Sequence, residues 1–179
     1  RESGAPTSVQ VFFGDLAVVR CDDWRAGRAS MFLLFKNNGA WRIAGEAGVA
    51  AGERRSEKPF DPRTTEREVL DVLDVYYRAV EAGDSAPLRD IFHAQWHMKN
   101  HEDGEVVAED RAAFIRRIDA GPTRRYNRDR HVADVQIVFD SLAYVRIDKP
   151  STPGVTVFLL FKTDGAWSIV DKAWSMARA

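Results

Sequence analysis

The chain has 179 residues, with 27 acidic against 26 basic side chains and a formal charge of -1. That balance lacks the basic excess of a general nucleic-acid binder, and 45% hydrophobic with 30% charged residues excludes wholesale disorder. Runs such as Met31 to Phe35 fall far short of a bilayer span, and the lone Cys21 excludes an intrachain disulfide or a cysteine-only metal site.

The opening stretch reads as strands over Ser8 to Phe13, Leu16 to Cys21, Arg28 to Lys36 and Trp41 to Glu46. Asn37-Asn38-Gly39 makes a hairpin turn, because Gly accepts positive φ and Asn tolerates it. Trp24 to Gly27 is a longer hairpin loop. Ala50 to Arg63 is charged, carries Pro59 and Pro62, and reads as a linker. Apolar residues then recur at helical spacing from Thr65 to Gly83, through Val69, Leu73, Tyr76, Tyr77 and Val80, with Thr64 or Thr65 as the cap. Ala86 to Phe92 is a second short helix, and Ala94 to Lys99 a strand that turns at Glu102-Asp103-Gly104. Glu109 to Arg117 is a third helix with Phe114, Ile115 and Ile118 inward. Four strands close the chain: His131 to Phe139, Ser141 to Ile147, Gly154 to Lys162 and Trp167 to Ala173. Thr163-Asp164-Gly165 is a second hairpin turn, and Pro150 to Gly154 a longer loop. Helices segregated against antiparallel strands make an α+β fold.

The chain repeats itself. Val9 to Gly48 aligns with Val135 to Trp174 at a constant offset of 126, without a gap and with eighteen of forty positions identical. The anchors are LAxVR, FLLFK and GAW. A whole domain's worth of chain precedes the second copy, but only eight residues precede the first. The expected division is therefore 1–50 as the strand half of a first domain, 51–63 as linker and 64–179 as a complete domain. The first copy's sheet then needs a cover, from an upstream fragment of the same protein, a second copy of the chain or the complete domain's own sheet, and the expected arrangement is an upstream fragment on the concave side with the neighbouring sheet against the convex side.

The helix ending Tyr76-Tyr77 and then Gly83-Asp84, followed by Leu88 and Phe92-His93, resembles the NTF2-like superfamily. So do the helix RAAFIRRI and the terminal FLLFKTDGAWSIVDKAW. The branch closest in pattern is that of the putative lumazine-binding proteins, with SnoaL-like and ketosteroid-isomerase-like proteins further out. The resemblance implies a cystatin-like α+β cone, three helices on a strongly bent antiparallel sheet, with a pocket at its open end. It also implies units that pair through their sheets, so dimer formation or an internal equivalent is expected. The superfamily mixes isomerases, hydratases, cyclases, transport factors and plain ligand-binding or dimerisation modules, so fold alone assigns no activity.

Three function classes stay open: a pocket protein for a small apolar or aromatic molecule, an acid–base isomerase, dehydratase or cyclase, and a structural dimerisation module. Trp96, Met98 and Asn100 alternate on one strand face and would line the pocket with Phe114, the Asn100 amide fixing a ligand. His97 on the alternate face would be the general base if that face met the cavity, with the phenol of Tyr76 or Tyr77 across from it. His93, His97 and His101 would share a face only on a continuous helix, and a helix-to-strand boundary between them argues against a metal. Cys21 aligns with Ile147 and reads as a small buried hydrophobe, while Arg124, Arg125, Arg128 and Arg130 read as a solvated face. No cofactor, nucleic-acid or membrane motif is present, and the lack of a signal-peptide pattern favours the cytoplasm.

Overall fold

The structure is a computed structural model that describes residues 6–23, 25–50, 61–102, 105–121, 130–151 and 153–177. Four strands come first: β1 (Pro6–Phe12), β2 (Leu16–Asp23), β3 (Arg28–Asn37) and β4 (Ala40–Ala50). They form an antiparallel sheet in the order β1-β2-β3-β4. Next come α1 (Pro62–Ala82), α2 (Ala86–Ile91), β5 (Phe92–Glu102), β6 (Glu105–Asp110) and α3 (Arg111–Asp119). A final meander runs through β7 (His131–Val138), β8 (Leu142–Lys149), β9 (Gly154–Thr163) and β10 (Ala166–Met176).

Local chemistry sets the element ends. Asp61, not Thr64 or Thr65, caps α1: its carboxylate accepts from the Arg63 backbone N–H and from Thr64 Oγ1, and Pro62 fits the first turn. Gly83 ends the helix at φ 69°, its N–H bonded to the Ala79 carbonyl. Phe92 starts β5 instead of finishing α2. Asp110 caps α3 by accepting from the Ala113 N–H at 2.7 Å. Both expected hairpin turns form, with positive φ at Asn38, Gly39, Asp164 and Gly165. The linker over residues 51–60, Trp24, the turn residues Asp103 and Gly104, and Arg124, Arg125 and Arg128 lie outside the described residues.

The second sheet has six strands in the order β6-β5-β10-β9-β8-β7. Here the strongly bent antiparallel sheet is corrected. The sheet is not strongly curled: β6 and β7 remain separate open edges. It is also mixed, because β5 runs parallel to β10, with Asp171 opposite His97 and Trp174 opposite Asn100. The chain between β5 and β10 runs through β6, α3 and the β7–β9 meander, and β10 comes back beside β5 in the same direction, as a parallel pair demands.

The result is three layers. Helices cover one face of the six-stranded sheet, burying Val69, Leu73, Tyr76, Phe114 and Ile118 against Val145, Phe158, Leu160 and Ile169. The other face packs on the four-stranded sheet through Leu16, Met31, Leu33 and Phe35 against Leu142, Tyr144, Val157 and Leu159. Each such fully buried side chain contributes about 1.5–3 kcal/mol. Polar ties join the same faces: Ser175 Oγ donates to Asp15 at 2.5 Å, and Tyr144 Oη to Gln10 at 3.0 Å.

The repeated sequence keeps its geometry. Arg20 binds Asp22 as Arg146 binds Asp148, and the Lys36 N–H bonds the Asp15 carbonyl as the Lys162 N–H bonds that of Ser141. What differs is the cover. Trp41 is 39% exposed where its equivalent Trp167 is 6%, and Ile43 is 64% exposed where Ile169 is 0%. Cys21 is half-buried on the same terms: Ile147, its equivalent, lies under helices.

Candidate functional site

The helix-covered face of the six-stranded sheet holds one charged group deep inside. β10 carries a bulge between Ile169 and Asp171. Strict alternation from Trp167 and Ile169 would send Asp171 toward the helices. The extra residue reverses that parity, so Lys172 and Trp174 point to the helices, while Ala173 joins the core between the sheets. Lys172 is 3% exposed. Its Nζ donates to Tyr76 Oη at 2.9 Å and lies 3.5 Å from Met98 Sδ. The same ammonium sits 5.3, 5.9 and 6.0 Å from the ring centres of Tyr76, Phe114 and Phe158.

Burial drives the Lys172 pKa down to about 7, helped by repulsion from Lys149 and Arg117 and opposed by Glu109. Arg117 is itself held by Glu109 at 2.7 Å and lies over the Phe114 ring. Lys149 is shifted down by its own burial. Burial raises the Tyr77 phenol, against the pull of Arg130, which stacks over that ring and pairs with Asp74 at 3.2 Å. An amine whose pKa lies near neutrality, hydrogen-bonded to the Tyr76 phenol, can donate to a carbonyl oxygen or exchange a proton with it.

The structure brings Tyr76, Tyr77, Trp96, Met98 and Phe114 into one buried cluster on this face. Asn100, 4% exposed, follows Met98 by two residues on β5. It does not bring His97 opposite the tyrosines. His97 alternates with Trp96 and Met98 along β5, is exposed, and rests its Nδ1 2.7 Å from the Gln95 carbonyl. His97 and Trp96 instead meet at the wall of a cavity of about 600 Å³ between α2, β5 and α3. The other histidines have separate settings: His93 accepts from the Gln95 N–H, and His101 lies near Asp15. Among the described residues no group of three His, Cys, Asp or Glu side chains is arranged to hold a metal. No described helix is long and apolar enough to cross a membrane.

Lys172 was invisible to the sequence reading because alternation through DKAW places it on the wrong face. The first copy carries the same irregularity. β4 breaks register between Leu33 and Leu34, at the place equivalent to the β10 bulge.

Residues 64–175 match the sequence model of a family described as Putative lumazine-binding. No curated protein matches the chain. Among solved structures, an NTF2-like protein of unknown function from Shewanella baltica OS155 is similar at 20% identity, with a TM-score of 0.57 over 68% of this chain and 100% of that one. Another of unknown function from Silicibacter pomeroyi DSS-3 gives 18% identity and a TM-score of 0.57 over 65% and 99%. A third, from Methylobacillus flagellatus KT, gives 21% and 0.54 over 67% and 96%. At these identities the likeness is one of fold.

Proposed function

The chain belongs to the NTF2-like family described as Putative lumazine-binding, and from that membership and the site geometry we propose that its helix-covered face binds a small planar aromatic molecule bearing carbonyl oxygens. One observation carries the reading: a lysine ammonium enclosed by Tyr76, Phe114 and Phe158. A fold has no packing reason to bury an amine there, and such perturbed groups concentrate at functional sites. Tyr76, Phe114, Trp96 and Met98 supply the flat apolar walls, and Lys172 and Asn100 the polar contacts. Lumazine, a bicyclic aromatic with ring carbonyls, is the first probe. Titration followed by lumazine fluorescence should saturate, and Lys172→Met should weaken binding at least tenfold. Binding that does not saturate, or that Lys172→Met leaves unchanged, would reject this reading.

The second part of the proposal concerns organisation. Residues 1–50 form the strand half of a first NTF2-like unit, 51–63 the linker and 64–179 a complete unit, so that sheets which pair between two chains in a dimer pair here within one. The outer face of the four-stranded sheet presents Val9, Val11, Trp41 and Ile43. Their equivalents Val135, Ile137, Trp167 and Ile169 all pack into the helix-covered core. The fitting cover is an amphipathic helix like α1, from a segment upstream in the same polypeptide. Without that segment the 179-residue chain should sediment as a monomer and bind anilinonaphthalene sulfonate, and Ile43→Lys should reduce the dye signal. A stable dimer dispersed by Ile43→Lys would assign the cover to a second copy instead.

A further inference from the structure

The cavity between α2, β5 and α3 shares Trp96 with the cluster around Lys172 but is not lined by Lys172, Tyr76, Met98 or Phe114. Three guanidinium groups, those of Arg89, Arg111 and Arg116, contribute to its wall together with His97. Two carboxylates share the wall, and both are engaged: Asp110 caps α3, and Asp119 pairs with Arg89 at 3.5 Å. Ala94, Ala112 and Ile115 supply apolar surface.

Two of the side chains that line this cavity carry a buried N–H with no acceptor among the described residues: Trp96 at Nε1 and Arg111 at Nε. Trp96 is 1% exposed, its indole stacked on Phe92 at 4.3 Å. Arg111 is anchored by its Nη2, which donates to the Arg89 carbonyl and ties α3 to α2. A buried N–H without an acceptor costs roughly 1–3 kcal/mol, so two at one cavity mark a place where an acceptor belongs.

We propose that this cavity is a binding site for a small monocarboxylate with an apolar body. A carboxylate offers two acceptor oxygens in one plane, which suits an indole N–H and a guanidinium that line one cavity. Three guanidiniums against two carboxylates leave a single excess positive charge on the wall, which matches a monoanion. The apolar wall residues receive the body of the molecule.

The test uses benzoate, with benzamide as its uncharged isostere, and the whole 179-residue chain labelled with nitrogen-15. The readout is the indole N–H resonance of Trp96, assigned by its loss in Trp96→Phe. Benzoate should move that resonance saturably as the indole gains an acceptor, and benzamide should bind at least tenfold more weakly. Arg111→Gln should weaken benzoate at least fivefold. Arg116→Gln, at an exposed position that leaves the fold intact, should weaken it twofold or more. The proposal is overturned if no saturable shift occurs up to 50 mM benzoate, or if benzamide matches benzoate. It is equally overturned if both arginine variants bind as the parent does. Movement of the Trp174 indole in place of Trp96 would put the anion under the helices and would also reject this site. Failure here leaves the lumazine titration unaffected, because that experiment turns on Lys172, which does not line this cavity.

Discussion

Lys172 is a stability liability whose sign can be worked out. Its pKa falls from 10.5 in the unfolded chain to about 7 in the folded one. Between those values the unfolded chain holds a proton that the folded chain has released, so stability rises with pH through that window. Below about pH 7 both states are protonated and the cost of the buried charge is fully present. Methionine is a near match in length and suits an aromatic enclosure. Lys172→Met should therefore raise the unfolding free energy by about 1–3 kcal/mol at pH 6. By pH 9 the gain should shrink. Urea denaturation at the two pH values checks this, and a variant destabilised at both would show that the amine is compensated by its surroundings. Seen against the lumazine titration, the expected exchange of stability for binding is the mark of a functional group.

At the level of elements, most of the molecule was legible in the residues. The β3–β4 and β9–β10 hairpins announced themselves through Asn38-Gly39 and Asp164-Gly165, and α1 through its Val69-Leu73-Tyr76-Tyr77-Val80 stripe, because those signals are local. The β5·β10 pairing was not legible: it joins residues more than seventy positions apart, and nothing in either strand states its direction. The bulges in β4 and β10 were hidden for a related reason, since an extra residue leaves composition unchanged and alters only the facing. Legibility of the site followed this division. The inward facing of Trp96, Met98 and Phe114 followed from regular alternation and helical spacing, whereas that of Lys172 lay beyond an irregularity. Gly45 in β4 shows what the irregular strands must accommodate. A Cβ there would fall 2.3 Å from the Asp171 carboxylate, which burial shifts upward and Lys99 holds at 2.6 Å. Gly45→Ala should cost about 1–3 kcal/mol by crowding that pair. In an Asp171→Ala background the same change should cost much less. Thermal unfolding of the four variants measures the coupling, and additive losses would place the strain elsewhere.

Over the whole molecule, the sheet contact joins equivalent halves of one repeated sequence: Gly45 and Asp171, which meet there, are themselves 126 positions apart. The resemblance to a known superfamily anticipated the helix layer. It erred on curvature, because a strongly bent sheet was carried over from the family and no residue pattern here specified it. The inner faces carry matching apolar sets, so two sheets that could have met by collision are held on one polypeptide. β4 ends at Ala50 and α1 begins at Pro62, which leaves a short connection between the halves. Tethering of that length turns association into an intramolecular event, with an effective concentration of order millimolar (~10⁻³ M) whatever the amount of protein present. A pair of separate chains comes apart on dilution. Here dilution leaves the ratio of docked to undocked sheets unchanged, so the inter-sheet core answers to temperature, pH and denaturant but not to abundance.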